Sequence, residues 1–406
     1  MMKKILPRGI CNMEELKYPN KTHEEKVKRL NEWSKGNKQP PIKFSIIPTN
    51  RCNLNCDACP NSVARSEGRF LEEDEISKEK WMKIVEKGLD WGAKEWRILG
   101  GGEPMVRRET TLSILLKVNK ESVYQDTEMI TNGTLFQPGD IEKLVKTKTN
   151  RILFSIDGPD AETHDFARGL DGAFSKATAA LRHFHKVKKR TGIDKPVIQV
   201  NMVLNNKNYD RVVEMVDFVD KYGVDELALH PMREYEEIKD QMQYLKVNQE
   251  EKEVLKREIK EAEEKVRDRQ VELNLDMVHE SEGYLDSGDS VEEDCFEKEE
   301  KDVQNKEITE KNETGKFIDS NCFEPFYGLL ITPKGLVGNC VPYGMGVESL
   351  DLEERGIKDI WYGEHFEELR EKMLKHNLTE SCEKCGLLDM TEELREELKK
   401  YRRLKD

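Results

Sequence analysis

The chain has no run of apolar residues approaching the roughly 18 that a membrane-spanning helix needs. Its start, MMKKILPRGICNMEELKYPN, opens with lysines but has no apolar stretch long enough for the core of a secretory signal. Both absences point to a soluble, cytoplasmic protein. Positive charge is also short: 67 Lys and Arg stand against 81 Asp and Glu, a net charge of −14. Such a surface repels phosphate backbones and argues against nucleic acid as the main partner. Apolar residues make up only 36%, matched by 36% charged, so much of the chain must be solvated surface. Nine cysteines in a reducing compartment are not a disulfide framework; they are metal ligands, reactive thiols or buried fillers. A length of 406 residues suits one large domain and a smaller module.

From Ile42 onward, short strand patterns alternate with helical ones. Ile42, Phe44 and Ile46 alternate and run into Cys52. Trp81, Ile84, Val85 and Leu89 recur at helical spacing, and Gly92 stops that helix. Trp96 to Leu99 ends in Gly100-Gly101-Gly102-Glu103-Pro104, Glu128 to Thr131 ends in Asn132-Gly133, and Ile152 to Ile156 ends in Asp157-Gly158. Val197 to Leu204 and Leu227 to Leu229 complete six units. This order implies parallel βαβ units. Six are too few for a closed eight-fold barrel, so a partial barrel or open sheet is expected, with ligands beyond the carboxyl ends of the strands. Ahead of this region, residues 1–41 read as a polar leader with a helix near Thr22 to Trp33. Residues 42–235 form the core, and 236–316 a charged helical and acidic linker in which Val254, Leu255, Ile259, Ala262 and Val266 mark one amphipathic helix. In that linker, ten acidic residues face four basic ones between Val291 and Glu313. Residues 317–406 return to apolar patterning: a hairpin around Pro333-Lys334-Gly335, a helix near Ile357 to His376 and a charged helical tail.

Three constellations carry chemistry. Cys52, Cys56 and Cys59, in CNLNCDAC, follow the first strand with no fourth Cys or His nearby. A 4Fe–4S cube needs four ligands, so three thiolates leave one iron open; a structural zinc site expects a local fourth ligand. At the end of the second strand, Gly101, Gly102, Glu103 and Pro104 combine backbone that a ligand can approach with a carboxylate suited to an ammonium group. Far along the chain, Cys322, Cys340, Cys382 and Cys385 offer four thiols, which suit zinc or a second 4Fe–4S cluster.

The cysteine spacing on the first strand, followed by the GGEP turn, resembles the radical S-adenosylmethionine (radical SAM) family over roughly Ile42 to Pro231. The resemblance implies an α/β fold, a partial (β/α)6 TIM-like barrel. It also implies a catalytic 4Fe–4S cluster on Cys52, Cys56 and Cys59, with S-adenosylmethionine chelating the open iron. In that family the sulfonium is cleaved reductively and a 5′-deoxyadenosyl radical takes a hydrogen atom from an unactivated C–H bond. Glu103 resembles the family's partner for the methionyl ammonium. Asn132, Ser155 and Asp157 resemble positions lining the ribose and the substrate cavity, and Arg168 resembles an arginine near the S-adenosylmethionine carboxylate. Ala58 stands where the family usually carries a larger apolar residue. His230 faces the same mouth and reads more simply as a structural histidine.

The run from Cys322 through GLLITPKGLVGNC, then IKDIW, HFEELR and CEKC, resembles the SPASM and twitch extensions of the family. This implies a small C-terminal α+β module, with Cys322, Cys340, Cys382 and Cys385 holding one auxiliary 4Fe–4S cluster. Cys11 and Cys295 remain over as incidental thiols. The implied partners are a reductant such as a flavodoxin or ferredoxin and a small-molecule or peptide substrate, converted by net oxidation (a dehydrogenation) or by peptide modification. The competing class is a non-catalytic iron–sulfur electron carrier or zinc-binding scaffold. The GGEP turn and the row of polar strand ends argue against it, since a carrier needs no cavity.

Overall fold

The structure, a computed structural model, describes residues 21–121, 125–233, 235, 238–280, 284–285, 317–320, 322–340, 348–349, 356–376 and 387–403. The expectations placed on Cys11, Cys295, Cys382, Cys385 and the acidic stretch from Val291 to Glu313 lie outside these residues. No helix among the described residues is long and apolar enough to cross a membrane.

One ten-stranded sheet organises the molecule. The six expected strands are β1 (Lys43–Ile46), β2 (Glu95–Ile98), β3 (Asp126–Thr131), β4 (Arg151–Ser155), β5 (Val197–Leu204) and β6 (Glu226–Pro231), each parallel to its neighbour. Two further parallel strands extend the set. β7 (Glu272–Asn274) joins β6, and β8 (Gly328–Ile331) joins the free side of β1 in the register Lys43 to Gly328 through Ile46 to Ile331. The expected hairpin then turns β8 into β9 (Leu336–Gly338), and β10 (Glu348–Ser349) completes the edge, both antiparallel. Among the described residues β7 and β10 are the two ends of the order, so the sheet is open there. The C-terminal region is therefore hydrogen-bonded directly to the strand that leads into the cysteine loop.

The helices are α1 (Lys21–Trp33), α2 (Ser62–Ser66), α3 (Lys78–Asp90), α4 (Arg108–Glu121), α5 (Pro138–Lys146), α6 (Ala161–Arg168), α7 (Ala173–Thr191), α8 (Val212–Tyr222), α9 (Lys239–Met242), α10 (Gln249–Val266), α11 (Asp276–Glu280), α12 (Glu324–Tyr327), α13 (Ile357–Trp361), α14 (Glu364–Leu374) and α15 (Leu387–Arg403). The single helix expected near Ile357 to His376 is two, because Gly363 interrupts it and caps α14. The apolar stripes read from spacing do face the core: Trp81, Ile84 and Val85 of α3 and Leu181 and Phe184 of α7 are fully buried. Phe44 of β1 stacks on Trp96 of β2 with ring centroids 4.9 Å apart.

The N-terminal helix α1 is more than a polar leader. It buries Val27, Leu30 and Trp33, and Trp33 packs against Phe326 (5.6 Å) and Trp361 (6.5 Å) of the C-terminal region. Arg370 lies over Trp33 and Trp361, at 4.6 Å and 4.4 Å from their ring centroids. Arg402 of α15 reaches back to Asn31 at 3.1 Å.

Candidate active site at the strand ends

The carboxyl ends of β1 to β6 converge on one cavity of about 600 Å³, a size suited to a small-molecule ligand. Cys52, Cys56 and Cys59 line it, with Gly101, Gly102, Glu103, Asn132, Ser155, Asp157 and Arg168. Pro104 does not line the cavity; it is buried and opens a 3-10 turn, where its missing N–H is no loss. All three cysteines are half-buried. Burial pushes the Cys52 and Cys56 thiols up, and metal binding would release their protons.

The cysteine loop is held from several sides. Asn61 donates to the Gly101 carbonyl at 2.7 Å, Gly102 N–H to Thr49 at 3.0 Å and Glu103 N–H to Arg51 at 3.0 Å. The glycines are required here by the loop itself. A Cβ on Gly101 would stand 1.9 Å from Asn50 Oδ1, and one on Gly102 would stand 2.1 Å from the Arg51 carbonyl. Close backbone approach was expected toward a ligand; in the structure it is first an approach between two loops.

Glu103 is 2% exposed. Its Oε1 accepts from Met105 N–H (3.0 Å) and the Thr131 hydroxyl (2.7 Å), and its Oε2 accepts from Asn132 N–H (2.7 Å). Burial raises its pKa, and the three hydrogen bonds counter that only in part. An ionised carboxylate has about four acceptor positions, so Oε2 retains one. Asn132 is equally committed: its Nδ2 donates to Asn53 at 3.1 Å and lies 3.9 Å from Cys52 Sγ, while its Oδ1 accepts from Thr134.

On the opposite side, Arg168 ends α6 and pairs with Asp157 at 2.8 Å. Its backbone carbonyl accepts from the Cys56 thiol at 3.6 Å. Asp157 also accepts from Val203 N–H at 3.0 Å, which fixes the β4 end to β5. Behind it, His164 Nδ1 accepts from Asp157 N–H at 3.2 Å; burial, with Arg168 nearby, pushes the His164 pKa down to about 3. His230 lines the cavity, and burial followed by Arg233 lowers its pKa, so its imidazole is neutral at pH 7.

Sequence reasoning missed Arg65, Asn201 and Asn205, which also line the cavity. Arg65 donates to Cys59 Sγ at 3.1 Å. A usable signal for Asn201 existed: Gln199 and Asn201 sit two apart in an otherwise apolar strand, and so share its inner face. In the C-terminal region, Glu324 N–H donates to Cys322 Sγ at 3.4 Å, and Cys340 follows β9.

These residues suit an iron–sulfur cluster with an organic ligand beside it. Three thiols and two half-buried arginines meet at one cavity, and Arg65 Nε, Arg168 Nε and His230 Nε2 are buried with no hydrogen-bond partner. Buried polar atoms are seldom left so unless a ligand or water satisfies them.

Comparison with known proteins agrees with this geometry. The model of the radical SAM superfamily matches residues 46–219, and that of the SPASM iron–sulfur cluster-binding domain matches 322–386. The chain is 27% identical over 185 residues to the PqqA peptide cyclase of Granulibacter bethesdensis, covering 46% of each chain. It is 28% identical over 174 residues to the AdoMet-dependent heme synthase of Methanosarcina barkeri, covering 42% of this chain and 45% of the other. The match thus spans less than half the length of these relatives. The crystal structure of Streptococcus suis SuiB bound to S-adenosylmethionine shares the fold, with a TM-score of 0.56 and 17% identity over 90% of this chain and 75% of that one. A radical SAM domain implies a 4Fe–4S cluster and S-adenosylmethionine, and a SPASM domain implies auxiliary iron–sulfur binding. Cysteine loop, strand-end cavity and C-terminal cysteines lead to one conclusion: this chain belongs to the radical SAM superfamily and carries a C-terminal SPASM domain.

Proposed function

We propose that Cys52, Cys56 and Cys59 hold the 4Fe–4S cluster through three irons, and that S-adenosylmethionine occupies the cavity between Glu103 and Arg168. When bound, the two supply a carbon radical that takes a hydrogen atom from substrate. The chain's own contribution is placement and exclusion of water. Glu103 Oε2 offers its remaining acceptor position to the ammonium, a charge-assisted contact. Arg168, kept in place by Asp157, faces the carboxylate. Asn132 and Ser155 line the ribose side, and Gly101, Gly102 and Pro104 hold the turn that presents Glu103. The observation that carries this reading is the set of orphaned buried nitrogens beside three thiols, on Arg65, Arg168 and His230.

The reaction is a net oxidation of a small molecule, a dehydrogenation, or a peptide modification. The four thiols of Cys322, Cys340, Cys382 and Cys385 hold one auxiliary 4Fe–4S cluster with no position left for substrate, which favours oxidation. A flavodoxin or ferredoxin supplies the starting electron. Relatives named for a peptide and for a heme keep both substrate classes in view.

The test is metal content followed by turnover. Anaerobically reconstituted protein should bind about eight irons, from two cubes, and replacing Cys52, Cys56 and Cys59 with Ala should leave about half. With a strong reductant, the intact protein should cleave S-adenosylmethionine to 5′-deoxyadenosine and methionine, and Cys56→Ser should abolish this. Stoichiometric zinc with only four irons would overturn the auxiliary cluster alone. A fully loaded protein that never cleaves S-adenosylmethionine would be an electron carrier.

A further inference from the structure

We propose that Arg65 tunes the cluster electrostatically: as an unneutralised cation against the cysteine loop, it raises the reduction potential of a cluster held by Cys52, Cys56 and Cys59. The inference rests on the reading of those three thiols as ligands.

Arg65 sits near the end of α2, the short helix that begins three residues after Cys59. Its side chain folds back onto the loop, with Nη2 3.1 Å from Cys59 Sγ. The same positive charge acts on Cys52. Two other arginines meet this loop, and each has a carboxylate. Arg168 is paired with Asp157 at 2.8 Å, while Arg51 is paired with Glu72 at 2.8 Å and Glu75 at 3.0 Å. Among the described residues no carboxylate pairs with Arg65, and its Nε is buried without a partner. A guanidinium kept only to brace a loop would be expected to bond carbonyls or carboxylates, as Arg29 does at Pro41 and Gly92. Arg65 instead leaves its buried Nε unpaired and, among the described residues, gives its one side-chain hydrogen bond to a sulfur.

That arrangement has a definite electrical consequence. Reduction adds one negative charge to a cluster whose thiolate ligands are already negative. A fixed positive charge at contact distance favours the more negative state, and hydrogen bonds to the sulfurs act in the same direction. Arg168 acts on Cys56 in the same sense, with Asp157 offsetting part of its charge.

The experiment is a redox titration of the reconstituted full-length protein, following by electron paramagnetic resonance the cluster signal that changes when S-adenosylmethionine is added. Arg65→Gln, which keeps a donor but loses the charge, should lower the midpoint potential by at least a tenfold change in the reduction equilibrium, about 59 mV for one electron. Arg65→Lys should recover most of that shift. An unchanged potential in a fully iron-loaded Arg65→Gln protein would overturn the proposal. So would loss of this cluster's iron in Arg65→Gln but not in Arg65→Lys, which would assign the residue to cluster assembly instead. If no iron is lost on replacing Cys52, Cys56 and Cys59, the underlying ligand reading fails, and iron content reveals that before any Arg65 variant is made.

Discussion

The two ends of the parallel sheet are both rich in charge, but they settle it differently. At the amino ends of the strands, Glu95 bonds Lys26 and Arg97 at 2.8 Å each, and Arg97 continues to Glu128 at 3.0 Å. Beyond it, Arg151 pairs with Glu226 at 2.6 Å, and Glu226 accepts from Asn274 at 3.0 Å. Burial raises the Glu95 pKa, but Lys26, Arg97 and Lys43 outweigh it and hold the carboxyl below its usual range. No buried side-chain nitrogen or oxygen of Lys26, Glu95, Arg97, Arg151 or Glu226 is left without a partner there. At the carboxyl ends, in contrast, buried nitrogens of Arg65, Arg168 and His230 are left without partners. Charge at one end of the sheet is paired between neighbouring elements; at the other end it leaves nitrogens unpaired beside the cavity.

That contrast can be broken most forcefully at the braced end. Glu95→Gln removes a 4%-exposed carboxylate, which leaves Lys26 without its carboxylate partner and Arg97 with Glu128 alone. It should cost about 3–5 kcal/mol of unfolding free energy in urea, with the affinity for S-adenosylmethionine unchanged. Weakened binding in a protein that still folds would mean that the two ends are not independent. The binding end gives a smaller loss with the opposite signature. Glu103→Gln turns an amide donor toward at least one of three N–H or O–H donors, at about 1–3 kcal/mol, and should also weaken S-adenosylmethionine binding by calorimetry. Normal affinity there would reduce Glu103 to a brace for its turn.

The smallest effect is a pH dependence from behind the cavity. The His164 pKa is about 3 in the folded chain against an ordinary 6.5, so the unfolded chain takes up the proton first. The stability linked to His164 is complete above pH 6.5 and declines toward pH 3, by about 1.4 kcal/mol over the first unit. Urea midpoints at pH 7.5 and 5.5 should therefore converge in His164→Leu. An unchanged difference would place the titration elsewhere.

The cavity was legible in sequence because its chemistry is local. Cys52, Cys56 and Cys59 fall within eight residues, and Glu103 sits in a turn whose glycines announce it. What escaped was set by non-local pairing. The alternation in Glu95, Trp96, Arg97 and Ile98 shows which side chains share a face, but not that Glu95 meets Lys26 of α1 or that Arg97 meets Glu128 of β3. β7 is three residues long, too short for any period to declare itself. β8 read as half of a hairpin, and nothing local shows that its other edge pairs with β1. Arg65 looked like one cation among 67, and only its fold-back onto Cys59 separates it from them.

The pairing of β8 with β1 also sets a timetable for biosynthesis. β1 leaves the ribosome early, but the strand that covers its second edge follows roughly 285 residues later, on the order of 15–60 s at ordinary elongation rates. Through that interval the strand carrying the cysteine loop has unpaired backbone along one side, the kind of edge that invites pairing with a neighbouring chain. Truncation anywhere ahead of Gly328 makes that interval permanent, so fragments ending between residues 278 and 316 should aggregate even though they contain every residue that lines the cavity.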